Sequence, residues 1–308
     1  MFLSGVGIEP QMFHITLANF NRSRTAISVP SSDWEATESA SLKMRILEGR
    51  FLEELRLVIS PLVEDAPRDP DDFVSWFESL VEWGPGQYHP LFDWLATRAS
   101  IDQMKWFLTQ EAAGEAGFED LVAYTQVKLP TQAKLECARN YWDEMGRGKA
   151  RAMHGPLLES MVTELGLMPT IESTVWESLA LANTMLGLAT SRRYTYQSLG
   201  ALGVIELTAP WRAAKVSLAM QRLGFPRKSR RYFDLHATLD VQHSRAWIRE
   251  IIRPLVSINP ECARFIAEGA LMRLRCGQLC FDRYTTEMKL KLYPDQGKRD
   301  VVNELVHA

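Results

Sequence analysis

No run in the 308-residue sequence reaches eighteen uninterrupted apolar residues, so no segment is expected to span a membrane. The start, MFLSGVGIEPQ, lacks both the basic residues and the continuous apolar stretch of a secretory signal, and a cytoplasmic protein is expected. An excess of either charge is also missing: 35 basic against 38 acidic residues leave a formal net charge of -3, and the densest basic cluster, Arg227-Lys228-Ser229-Arg230-Arg231, is short. That balance argues against nucleic acid as a partner, because phosphate binding needs a broad basic surface. Cysteine is scarce. Cys137, Cys262, Cys276 and Cys280 fall on helical patterns, and the last two stand one residue too far apart for a CxxC site, which excludes a zinc ribbon or thioredoxin motif and suits reduced thiols. There is no Gly-rich phosphate loop, no GxSxG elbow, no internal repeat and no alternating strand pattern bounded by hairpin turns.

What is present is apolar mass in helical order. Hydrophobic residues make up 46% of the chain, with nine Trp and thirteen Phe, enough for a sizeable core in one large helical domain with an appended segment or in two average ones. Residues 1–30 carry Gly, Pro and Ser without a sustained period and read as an extension. From Ser32 the pattern is helical, with Leu42, Ile46, Phe51, Leu55 and Val58 recurring on one face. Further helices are predicted from Asp71 to Gly84, near Leu91, from Ile101 with Ser100 as cap, over the TQAKLECARNYWDEM and KARAMHGPLLESMVTELG segments, and over 173–190, 195–222, 229–252 and 260–284. The expectation is an all-α bundle over 31–290 followed by a tail over 291–308.

Two segments carry the chemistry. In RRYFDLHATLDVQHSRAW, His236, Asp240 and His243 stand at i, i+4 and i+7, which places all three on one face of a helix and offers imidazole and carboxylate ligands suited to iron, manganese or zinc. In NYWDEMGRGKARAMHGPLL, Glu144 precedes His154 by ten residues across a Gly-Arg-Gly break. Ten residues turn an ideal helix by about 1000°, leaving the two side chains roughly 80° apart. Their convergence therefore requires a departure from regular helix between Met145 and Lys149; without one, Asp143 is the better aligned carboxylate. Other polar residues point less clearly to a site. His14 and His89 fall in the extension and a loop and are expected to be solvated, Trp247 reads as core, and Glu304-Leu305-Val306-His307 is a single ExxH in the tail where ferritin-like sites use two.

Taken together, Glu144 with His154 at +10 and His236, Asp240 and His243 downstream resemble the haem-oxygenase-like diiron oxidase and oxygenase family, often labelled iron-containing redox enzymes, over roughly residues 90–285. The resemblance implies a haem-oxygenase-like helical bundle without haem, preceded here by the N-terminal extension, that binds two Fe2+ ions and uses O2 as co-substrate. It also implies one more carboxylate from the helix before the Glu-His segment, for which Glu115 is the choice and Glu111 the alternative. Glu115, His154 and His236 would then favour one iron, and Glu144, Asp240 and His243 the other, with no catalytic residues beyond these ligands. The resemblance implies N-oxygenation of amines, or desaturation or C–C cleavage of amino or fatty acids, and the abundance of Arg and acidic residues near the predicted helices favours a small amine or amino-acid derivative as substrate. Arg147 and Arg151 flank the metal helix and could meet its carboxylate. The alternatives are fatty-acid oxidative decarboxylation, or a metal-free relative that only binds a partner; a homodimer is compatible with either.

Overall fold

The computed structural model describes residues 9–30 and 32–290, all of whose regular elements are helical. The C-terminal tail over 291–308, with its Glu304–His307 ExxH, lies outside the described residues. The extension is itself helical: α1 (Pro10–Thr25) begins with Pro10 in its first turn and the Glu9 side chain accepting from the Met12 amide. Its buried face is Phe13, His14, Leu17 and Asn21, so two polar residues interrupt the stripe and hide its period from the sequence. His14 is fully buried rather than solvated. Its ring stacks on Trp176, and the Asn183 side-chain amide donates to its carbonyl at 3.1 Å.

Helix α2 (Trp34–Val63) starts well outside the core. Leu42, Ile46 and Val58 are exposed, while Phe51, Leu52, Leu55 and Ile59 are buried, so only the second half docks, on a face offset from the expected one. Helices α3 (Pro70–Trp83), α4 (Pro90–Thr97), α5 (Ile101–Gly114) and α6 (Phe118–Thr125) follow as short pieces with clear starts. Asp69 caps α3, a reciprocal Ser100–Gln103 capping box opens α5, and His89 caps α4 through Nδ1 rather than hanging in solvent.

The second half of the chain builds the frame of the site from α7 (Thr131–Glu144), α8 (His154–Leu165), α9 (Trp176–Thr190), α10 (Thr195–Arg222), α11 (Arg227–Trp247), α12 (Arg253–Ile258) and α13 (Cys262–Glu287). Helix α10 is the central post, packed along α11 on one side and α13 on another. Between α11 and α12 the chain widens into a π-helical turn over Ile248–Ile252, where Pro254 has no amide to return to the Glu250 carbonyl. Trp247 is core, donating its indole N–H to the Leu199 carbonyl. No helix among the described residues is long and apolar enough to cross a membrane.

The α10–α13 crossing depends on two glycines. A Cβ on Gly200 would overlap the Ile266 carbonyl, and one on Gly269 would overlap the Gln197 carbonyl, so the helices touch backbone to backbone. Gly269→Ala is therefore expected to destabilise the fold by roughly 1–3 kcal/mol through overpacking. Urea unfolding midpoints of the variant and the parent check this, and an unchanged midpoint would show that the crossing can spread at no cost.

Candidate metal centre

The break between Glu144 and His154 is complete. Glu144 is the last residue of α7 and His154 the first of α8, joined by two 3-10 turns, Gly146–Gly148 and Ala150–Ala152. Gly146, Arg147 and Gly148 all have positive φ, and a Cβ on Gly146 would strike the Ala152 backbone, so the turn closes on itself. Arg147 is held in this conformation by its Nε, which donates to Asp143 at 2.7 Å. The loop brings the two side chains together: Glu144 Oε2 lies 3.1 Å from His154 Nδ1.

Helix α11 supplies His236, Asp240 and His243, all on its buried face. His236 Nδ1 lies 2.6 Å from the Tyr232 carbonyl, to which it donates, leaving Nε2 as the acceptor that faces His154 Nδ1 at 3.1 Å and Glu144 Oε2 at 3.9 Å. His243 is set the other way round. Its Nε2 donates to Asp143 Oδ2 at 3.2 Å, and its Nδ1 looks inward, 3.5 Å from Glu144 Oε1 and 3.5 Å from Glu206 Oε2. Asp143, the fallback carboxylate for an unbroken helix, thus becomes the group that orients His243, itself tied by Arg139 and Arg147.

Glu206 joins the site without belonging to either motif segment. It sits in the apolar run of α10, is 2% exposed, and accepts from the Asn140 side-chain amide at 2.7 Å. Pro210, one turn later, cannot give an amide to the Glu206 carbonyl, which loosens the helix at this point. A lone acid inside a buried apolar run, four residues before a proline, was the available signal, because a buried carboxylate must find a partner.

Two groups of potential ligand atoms result: Glu144, His154 and His236, and Glu144, Glu206 and His243, with Glu144 common to both. Asp240 is 2% exposed and its Oδ1 has no hydrogen-bond partner, nor has His243 Nδ1. Glu115 and Glu111 belong to neither group. Glu115 follows the last residue of α5, where its Oε1 accepts from the Gly117 and Phe118 amides, and it approaches His154 at 3.6 Å on the Nε2 side, away from Glu144. Glu111 accepts from the Tyr284 hydroxyl at 3.0 Å. Arg151 is exposed, and Arg147 is spent on Asp143, so neither faces the interior.

Without a bound cation the charges are poorly matched. Burial, with the Glu206 and Glu144 charges, pushes the Asp240 carboxyl well above the usual range. Burial would also raise Glu144, but the imidazoles of His154 and His236 outweigh it and hold that carboxyl low. Burial opposes charge on His243 too, yet Glu206 and Glu144 raise it to about 9. Clustered buried carboxylates, with imidazole nitrogens turned toward them and two inward atoms unpartnered, fit a multivalent cation held by N and O donors.

An all-helical bundle with such an interior is one in which a metal ion could be held by N and O donors. The family model described as "Iron-containing redox enzyme" matches residues 105–278, more than half of the chain, and the protein belongs to that haem-oxygenase-like family, an oxidoreductase class. The fold is shared with a CADD-like protein of unknown function from Nostoc punctiforme: one crystal structure superposes with a TM-score of 0.51 at 17% identity, covering 79% of this chain and 98% of that one. A second crystal structure of that protein gives 0.49 at 18% identity, covering 81% of this chain and 100% of that one. No curated protein matches the sequence.

Proposed function

We propose that the protein is a non-haem diiron oxidase or oxygenase that uses O2 to oxidise a small amine or amino-acid-derived substrate, with Glu144, His154, Glu206, His236, Asp240 and His243 as iron ligands. Glu206 here replaces Glu115, whose inner oxygen is already committed to two backbone amides. The observation that carries the reading is the buried convergence of both ligand groups on the Glu144 carboxylate, with His243 Nδ1 and Asp240 Oδ1 left without a hydrogen bond. Bound ferrous ions would supply the electrons for O2 reduction, which no side chain here can provide.

The chain's own residues supply orientation and enclosure. Asp143 and the Tyr232 carbonyl fix which nitrogens of His243 and His236 face inward, and Asn140 holds Glu206. Beside the ligands lies a cavity of about 150 Å³, walled largely by apolar and aromatic side chains such as Phe92, Leu158, Leu181, Ile205, Val216 and Phe281. A cavity of similar size lined by apolar side chains holds a molecule such as benzene. That capacity favours a small substrate over a long acyl chain, and so disfavours the fatty-acid alternative.

His243→Ala tests the metal reading. Wild-type protein reconstituted anaerobically should hold about two irons per chain after desalting and consume O2 with a suitable substrate, whereas the variant should lose iron affinity by at least 10–100-fold, the cost already seen when only a supporting residue is removed. A variant that keeps two irons per chain would count against His243 as a ligand.

A further inference from the structure

We infer that Arg212 on α10 and Arg273 on α13 form a carboxylate-binding subsite in the cavity beside the metal centre, so that the substrate is a small carboxylic acid anchored by protein rather than by iron. The inference rests on the reading of that cavity as the substrate site and names the class of molecule it takes.

Both guanidiniums line the cavity, and neither has a hydrogen bond or ion pair among the described residues. That is unlike the other arginines of the interior. Arg24 is paired with Glu48 at 2.6 Å, and Arg56 with Glu268 at 2.8 Å. Arg212 has only the Phe281 ring, 5.7 Å from its guanidinium carbon. Burial first, and then the charge of Arg273, lower the Arg212 guanidinium from its ordinary 12.5 to about 9. Glu111 and Asp240 act on Arg212 from a distance, but neither comes within ion-pair reach, and Glu111 is engaged by Tyr284.

A planar guanidinium fork binds a carboxylate with two parallel N–H···O bonds, and the gain is largest where water is scarce. Two such forks in a largely apolar chamber call for an anion, and the nearby acids Glu111 and Asp240 disfavour a dianionic phosphate. Arg212 lies six residues beyond Glu206 on the same helix, about 9 Å along its axis. A molecule with its carboxylate on the arginines and a short apolar or aromatic body can therefore extend toward the Glu144, His154 and His236 group. For an amino-acid substrate, this leaves its nitrogen or side chain, not its carboxylate, as the end presented for oxidation.

Calorimetric titration of the purified protein, with its iron content measured, compares hexanoate, hexanamide and hexylamine. Hexanoate should bind roughly tenfold or more tightly than the isosteric amide, as expected for charge-assisted hydrogen bonds. In Arg212→Gln/Arg273→Gln that preference should vanish while iron content is kept; the Lys pair, Arg212→Lys/Arg273→Lys, retains charge and should keep part of it. Equal affinity of the wild type for acid and amide overturns the proposal without any variant. So does hexanoate binding that survives the Gln pair but disappears on chelation, which would place the carboxylate on the metal. If the protein holds no iron yet binds hexanoate through the arginines, the subsite stands and the diiron reading falls.

Discussion

Glu206→Ala is expected to strip the purified protein of iron, lowering the metal bound per chain by half or more, while Glu115→Ala leaves it nearly unchanged. Glu206 faces His243 from the adjacent helix and is fixed by Asn140, so its loss removes a donor from one of the two ligand groups and leaves His243 Nδ1 without its acidic neighbour on α10. Removal of a supporting residue alone commonly costs 10–100-fold in metal affinity, and a donor atom should cost at least that. Glu206→Gln separates charge from shape, since the amide can still meet Asn140 but binds a hard cation poorly. Iron is measured after anaerobic reconstitution and desalting. Depletion in Glu115→Ala with retention in Glu206→Ala would return the role to Glu115, as the family resemblance alone implied.

Acid should loosen the N-terminal helix well before it protonates most carboxylates. Burial against Trp176 and Phe51 lowers the His14 imidazole from its ordinary 6.5 to about 3. The native state therefore keeps His14 neutral where the unfolded chain takes up a proton. Stability from this group is complete above pH 6.5 and falls as pH drops toward 3, by about 1.4 kcal/mol per pH unit. Between pH 6.5 and 5 the loss is about 2 kcal/mol. His154 and His243 have raised values and contribute in the opposite sense, losing stabilisation as pH rises, so the contrast between wild type and His14→Gln isolates the buried ring. Urea midpoints over that range should fall steeply for the wild type and flatten in the variant. Parallel profiles would mean that His14 remains wet enough to protonate in place.

The difference between what could and could not be read in advance follows the range of the interactions. The helices over 173–190, 195–222, 229–252 and 260–284 were legible to within a few residues because apolar period and breakers are local. The shared face of His236, Asp240 and His243 follows from helix geometry, and the loop after Glu144 follows from its two glycines. Glu206 was not legible, since its partners Asn140 and His243 come from two other helices, α7 and α11. The unpaired state of Arg212 and Arg273 was equally hidden: nothing in sequence distinguishes them from Arg147 and Arg151, which lie nearer the motif but outside the cavity.

If Glu144 and His154 hold metal as proposed, their division between two helix ends would also govern how quickly the centre exchanges its contents. Each donor terminates a separate rod, and the strained turns through Arg147 are the joint between them. Withdrawing either donor means rearranging a short surface loop, a local opening far cheaper than melting the bundle. On that reading occupancy would be thermodynamically firm yet kinetically labile, with the tether from Asp143 to Arg147 holding the joint closed.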